Sequence, residues 1–294
     1  MNRATEGRQT PAIYGLLLEV FEFVPGAEVG AVKGEVRINP RDGQRYVYIL
    51  PGTFRMGCST GDSECYPDES PAHEVSITKG FWLGQTEVTV EAYERFAKAT
   101  RRPMPAEPKF RERSLNPGWA DKRLPMLMVD WNDSLAYCAA AGGRLPTDAE
   151  WEYAARGETA GPHYGTLEDI AWFGDNSGKQ GLDGAKILKD EQKEYGNKLF
   201  ANENHPRAGA LKKPNGFELY DMLGNAWEWT ADWYGEKYYE NPGSRNPQGP
   251  LNGDRRVLRG GSWVSISRVL RVSYRGRNDP SFRDSSTGLR CAWE

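Results

Sequence analysis

The stretch from Gly260-Gly261-Ser262-Trp263 to Cys291 constrains this chain more than any other. After its opening turn it runs Val-Ser-Ile-Ser-Arg-Val-Leu-Arg-Val-Ser-Tyr-Arg-Gly-Arg, and it closes on Gly288-Leu-Arg-Cys-Ala-Trp293. Neither strict alternation nor a 3.6-residue period organises it. Small and β-branched residues are instead punctuated by Arg259, Arg268, Arg271, Arg275, Arg277, Arg283 and Arg290. A backbone without periodic pairing needs side-chain partners, and a guanidinium offers five donors in a fixed fork. The stretch therefore reads as a long loop braced by arginines. Long loops that stay ordered usually carry function, so this is where a ligand is expected. Asp279 and Asp284 lie among the arginines and the net charge of the chain is −3. Bracing is thus the better reading of the basic residues, and no nucleic-acid partner is expected.

With 10 Trp, 14 Tyr and 10 Phe in 294 residues the chain can bury a large core, since each aromatic brings roughly 150–250 Å². The 33 glycines and 19 prolines are spread along it, which favours turns over regular elements. The apolar run Ile13 to Val24 is too short to span a membrane and is broken by glutamates. No export signal is visible either, so the cytoplasm is the default compartment. The four cysteines, Cys58, Cys65, Cys138 and Cys291, allow three pairings. No C-x-x-C occurs and only His73, His163 and His205 accompany them, which argues against zinc.

Along the chain, residues 1–45 read as an N-terminal extension with strands over Leu16 to Val24 and Val29 to Ile38. Residues 46–294 read as one domain, with a strand at Tyr46 to Leu50 and a polar loop over 58–72 that Cys58 and Cys65 could close. Three short helices follow. Thr89 is a candidate N-cap before Val90, Tyr93, Phe96 and Ala97 on one face. Asn132 is a candidate cap for a second helix with Leu135, Ala136 and Ala139 inward, stopped by Gly142-Gly143. Thr147-Asp-Ala-Glu150 spells a capping box for a third, ended by Gly157. Residues 177–204, rich in Lys, Glu, Gly and Asn, read as a solvated insertion.

Asp221-Met-Leu-Gly224-Asn-Ala226-Trp-Glu228 is the best metal candidate, because two carboxylates bracket a short turn that could add carbonyl oxygens for a hard cation such as calcium. From spacing alone, Glu228 bracing an arginine is the preferred reading. His73, beside Glu74, reads as a solvated loop residue. There is no Ser-His-Asp order, P-loop or dinucleotide fingerprint.

Phe81-Trp-Leu-Gly-Gln-Thr-Glu-Val-Thr89, Arg144-Leu-Pro-Thr-Asp-Ala-Glu-Trp-Glu-Tyr-Ala-Ala-Arg156, Leu219-Tyr-Asp-Met-Leu-Gly-Asn-Ala-Trp-Glu-Trp229, Arg259-Gly-Gly-Ser-Trp263 and Gly288-Leu-Arg-Cys-Ala292 together resemble the formylglycine-generating enzyme (sulfatase-modifying factor) family. The resemblance covers about residues 45–294. It implies an α+β fold of that family's type, a C-type lectin fold rich in loops, with short helices and little regular sheet. It implies a calcium site of Asp221 and Glu228 side chains with the carbonyls of Gly224 and Ala226, reversing the spacing-only preference. It also implies a Cys138–Cys291 disulfide, with Cys58 and Cys65 as the other pair.

At the positions of the family's two copper-binding catalytic cysteines this chain has Ser265 and Leu270. Neither side chain supplies the soft thiolate that monovalent copper needs, so no copper and no enzymatic activity of that kind are expected. The same stretch resembles the variable proteins of diversity-generating retroelements. Relatives rich in asparagine here are matched by Val264, Ser265, Ile266, Val269, Gly276, Asn278, Asp279, Phe282, Asp284, Ser285 and Ser286, each reachable from an AAC codon by changing adenines alone. What this implies is a variable region over about 259–291 that binds an unknown protein or small molecule. Its patch would be Val264, Ser265, Ile266, Ser267, Val269, Gly276, Ser281, Phe282, Asp284, Ser285 and Ser286. The alternative is a cysteine-independent oxidase or maturase of the same fold.

Overall fold

The computed structural model describes residues 31–294, and the strand expected over Leu16 to Val24 lies outside them. Within residues 32–294, twelve short strands and six α-helices alternate with long connections. The first sheet is antiparallel, in the order β1 (Val36–Ile38), β2 (Arg45–Ile49), β5 (Phe81–Gly84), β12 (Ala292–Trp293). It brings the last residues of the domain into the same sheet as its first, at the opposite edge. β3 (Gly52–Met56) and β4 (His73–Ile77) form a separate hairpin, as do β6 (Lys109–Phe110) and β7 (Arg113–Ser114). The second sheet runs β10 (Gly276–Asn278), β9 (Arg256–Arg259), β8 (Trp227–Trp233), β11 (Thr287–Gly288), with β11 parallel to β8. His73 is therefore a strand residue packed edge-on against Tyr239, contrary to the solvated-loop reading.

Helix starts follow their caps. The Thr89 side chain accepts from Ala92 N–H at the start of α1 (Val90–Thr100), whose Val90, Tyr93, Phe96 and Ala97 are buried as the periodicity requires. The capping box of Thr147 and Glu150 opens α3 (Asp148–Arg156), and Gly157, at φ 51°, closes it. The middle helix differs from expectation. Asp130, not Asn132, caps α2 (Trp131–Ala140), and Ser134, Tyr137 and Cys138 face inward while Leu135 stays 39% exposed. Two tertiary contacts set that face: Tyr137 stacks on Tyr93 at 5.5 Å, and Cys138 is bonded to Cys291.

The core joins the first sheet and the β3–β4 hairpin to α3 through Val47, Ile49, Val75, Phe81, Leu83 and Trp151, with Phe173, Leu223 and Val272 added from the connections. Residues 177–204 stay largely exposed, but they are more regular than their composition suggests. They carry α5 (Gly184–Glu191) and α6 (Tyr195–Ala201), after the single turn α4 (Leu167–Ile170). They bury Ser177, Leu199 and Asn204. Asn204 donates to Gly174 O at 2.8 Å and to Ser177 Oγ, which in turn donates to Trp263 O at 2.7 Å. No helix of the described residues is long and apolar enough to cross a membrane.

Candidate functional site

The C-terminal segment is held from beneath by four buried arginines, each drawn to carboxylates from distant parts of the chain. Arg259, at the end of β9, donates to Asp148 and to Glu152 Oε2 at 2.9 Å, and its other nitrogen reaches the carbonyls of Val272 and Tyr274, both at 3.0 Å. Arg275 meets the second oxygen of Asp148 at 3.1 Å and the carbonyls of Asp68 and Gly235. Arg271 forks onto both oxygens of Glu69 at 2.6 Å and also reaches Asp62. Arg290 forks onto Glu228 and donates to Gly84 O at 2.8 Å. Burial pushes the Asp148 carboxyl up, but Arg259 and Arg275 beside it outweigh that and hold it below the usual carboxylate range. Asp148 and Glu152 stand one turn apart on α3, so one helix face carries both acceptors. Such pairs stabilise only while complete, because removing one partner strands a buried charge.

Above this frame the predicted patch residues divide. Ile266, Ser267, Val269, Phe282, Asp284 and Ser285 are half-buried and Ser281 is exposed. Val264 is half-buried, with its carbonyl accepting from Tyr195 Oη at 2.8 Å and so tied to α6. Ser265 and Ser286 do not belong to an open surface. Ser265 Oγ accepts from Ser262 N–H at 2.9 Å inside the turn, and buried Ser286 donates to the Asp284 carboxylate at 3.0 Å. Gly276 is also constrained: a Cβ there would lie 2.9 Å from Trp227 Cζ3 and 3.1 Å from Leu258 O. Asp284 and Ser285 instead line an open cavity of about 650 Å³ with Ala106, Glu107, Lys109 and Met128. A second cavity, about 420 Å³ between β3 and α3, carries none of the predicted patch residues.

Ser265 and Leu270 flank Gly261, where a Cβ would meet Leu270 Cδ2 at 2.4 Å and Ser265 Oγ at 3.5 Å. Leu270 is fully buried. All four cysteines are spent in the Cys58–Cys65 and Cys138–Cys291 disulfides, and no free thiol stands among the described residues. The place therefore offers two hydroxyls and a hydrocarbon, with no thiolate for a soft metal.

The four residues expected to hold calcium are partly committed elsewhere. Both Glu228 oxygens accept from Arg290, and Oε2 also accepts from Trp151 Nε1 at 2.6 Å, which is the brace that spacing alone favours. Asp221 differs. Its Oδ2 accepts from Ala210 N–H at 2.8 Å, and its buried Oδ1 has no hydrogen-bond partner. Burial raises the Asp221 carboxyl to about 6. Among the described residues no three His, Cys, Asp or Glu side chains form a group able to hold a metal ion by themselves. Any site there must lean on peptide carbonyls.

Sequence reasoning missed Glu69, Asp148 and Glu152 as the counter-charges of the frame, and Tyr195 as its lateral support. A signal existed for α3 alone, where the i, i+4 acids follow a legible capping box.

A family model described as the sulfatase-modifying factor enzyme 1-like domain matches residues 32–294. The chain is 32% identical to the formylglycine-generating enzyme of Streptomyces coelicolor, over 86% of this chain and 90% of that protein. It is 30% identical to the inactive C-alpha-formylglycine-generating enzyme 2 of Mus musculus, over 84% of each. Among solved structures, PvdO from Pseudomonas aeruginosa superposes with a TM-score of 0.71 at 24% identity, over 90% of this chain and 99% of that one. Treponema denticola variable protein 1 superposes with a TM-score of 0.66 at 24% identity, over 88% and 98%.

Proposed function

Since the chain belongs to the sulfatase-modifying factor enzyme 1-like family, we propose that this member is a non-enzymatic ligand-binding protein on a C-type lectin-like scaffold, its C-terminal surface diversified by a retroelement. One observation carries the reading. Arg259, Arg271, Arg275 and Arg290 fix the backbone of the segment from below through buried carboxylates, while Ile266, Ser267, Val269, Phe282, Asp284 and Ser285 stand half-buried above it. Side chains of the second group can change without disturbing the first, as in an antibody paratope. The likeness to a Treponema variable protein agrees with this reading, and so does the absence of thiols at Ser265 and Leu270. The ligand is a protein or small molecule met by apolar and hydroxyl groups. Calcium belongs to the same proposal: the Asp221 carboxylate and the carbonyls of Gly224 and Ala226 hold the ion, beside the Glu228 charge.

Two tests decide it. The gene should be accompanied by a reverse transcriptase and a near-identical template repeat differing only at adenines; differences at other bases sink the retroelement reading. Separately, purified protein loaded with copper and offered a cysteine-containing peptide should consume no oxygen. Turnover of that peptide would establish the alternative, an oxidase working without paired cysteines.

A further inference from the structure

The two disulfides stand in different surroundings. Cys138 and Cys291 are 0% and 1% exposed, and their bond closes a separation of 153 residues. Cys58–Cys65 closes a separation of 7, and both its residues are half-buried. Cys58 lines the cavity of about 420 Å³ between β3 and α3, with Phe54, Ser59, Thr60 and Tyr153. Cys65 is not among the lining residues, and its Sγ accepts from Arg271 Nη1 at 3.5 Å.

Thiol–disulfide exchange needs an accessible sulfur to attack and a second sulfur that departs readily as a thiolate. A guanidinium beside a sulfur favours the thiolate. Cys58, open to the cavity, is therefore the sulfur to be attacked, and Cys65, beside Arg271, the one to leave. Chain entropy also holds a bond across a short loop closed least firmly.

The same loop holds the C-terminal segment. The Asp62 side chain meets Arg271 at 3.1 Å, and Glu64 meets Arg268 at 3.0 Å. Arg268 belongs to the helical turn Ser267–Val269, which carries two of the half-buried patch residues. Among the described residues, the hydrogen bonds and ion pairs from residues 60–65 to segments outside the disulfide loop all end on Arg268 and Arg271. With the bond open, those pairs alone keep residues 60–65 in place, and an exposed pair such as Glu64–Arg268 is worth little by itself.

We infer that Cys58–Cys65 is an exchange site for a low-molecular-weight thiol, and that its redox state sets how firmly the Ser267–Val269 turn is held. A thiolate entering the cavity bonds to Cys58 Sγ as the protein's S–S bond breaks, and Cys65 leaves as a thiolate beside Arg271. A second thiolate then attacks the incoming sulfur, forming the disulfide of the small thiol and releasing Cys58. Two small thiols are thus oxidised to one disulfide, the protein disulfide is reduced to two cysteines, and the two protons return to the cysteine sulfurs or to water. Any consequence for a ligand rests on the binding role proposed for the patch.

In the test, the full chain is incubated with reduced glutathione under native conditions, quenched with acid at intervals and mapped by peptide mass spectrometry. Cys58–Cys65 should open at least about tenfold faster than Cys138–Cys291, with glutathione found on Cys58. Amide hydrogen exchange of the reduced protein should rise over residues 59–66 and 267–271 and stay unchanged over α3. Equal opening rates for the two disulfides, or glutathione on Cys65, overturn the exchange site. Unchanged exchange over 267–271, or a rise that extends equally to α3, overturns the coupling. None of these readouts involves a ligand, so failure of the ligand-binding reading leaves them standing.

Discussion

Arg271 forks onto Glu69 with both terminal nitrogens at 2.6 Å, tying the C-terminal segment to the helical turn Pro67–Glu69 that follows the Cys58–Cys65 disulfide loop. Ser273 Oγ adds a third bond to the same carboxylate at 2.7 Å. The pair is buried on both sides, so its strength lies in being complete.

Removing one half should therefore be severe. Glu69→Ala strands a buried guanidinium and should cost about 3–5 kcal/mol, read from urea denaturation. Ser267→Ala and Val269→Ala, on the outer side of the same segment, should stay within about 0.5 kcal/mol of wild type. Equal losses at inner and outer positions would remove the distinction between frame and face.

Gly276 offers a sharper case, because diversification would place other side chains there. A Cβ at this position would stand 2.9 Å from the Trp227 ring, so Gly276→Val must displace the indole. A loss of roughly 1–3 kcal/mol is expected, with a changed near-ultraviolet circular dichroism band. An unaltered band and melting curve would return Gly276 to the freely variable set.

The two disulfides should differ in weight. Cys138–Cys291 closes a separation of 153 residues and Cys58–Cys65 one of 7. Chain entropy alone assigns them about 5 and about 2 kcal/mol. The Cys138→Ala/Cys291→Ala double variant should accordingly melt well below the Cys58→Ala/Cys65→Ala one, and the reverse order would show that native contacts outweigh the unfolded-state term.

Acidification should destabilise the fold through its histidines. Burial lowers His163 from the ordinary 6.5, and His205 is lowered for the same reason. Both rings are thus favoured neutral when folded, and the unfolded chain binds protons more readily. Stability is fully present above about pH 6.5 and is lost as pH falls below it. His163→Gln should flatten that decline in denaturation midpoints measured between neutral and mildly acid pH; an unchanged slope would assign it to other groups.

If calcium occupies the Asp221 region, chelation should lower the melting temperature and excess calcium restore it. A free concentration one hundred times the dissociation constant contributes about 2.7 kcal/mol. An EGTA-treated sample that melts with the untreated one removes calcium from the account.

What the sequence alone determined was local: the Thr89 cap, the Thr147–Glu150 capping box, the stop at Gly157 and the need of an unpatterned C-terminal stretch for arginine braces. Each of these depends on residues within a turn of one another, so neighbouring letters suffice to read them. Which carboxylate each arginine meets was decided by the tertiary structure, since Arg271 and Glu69 stand 202 positions apart and Arg259 and Asp148 stand 111 apart. The same distant packing turned α2 to bury Tyr137 instead of Leu135, drew Ser265 and Ser286 inward, laid α6 against Val264 and left Asp221 Oδ1 buried without a hydrogen-bond partner. Local hydrogen bonds write themselves into adjacent residues, whereas burial and charge pairing depend on what the rest of the chain brings alongside.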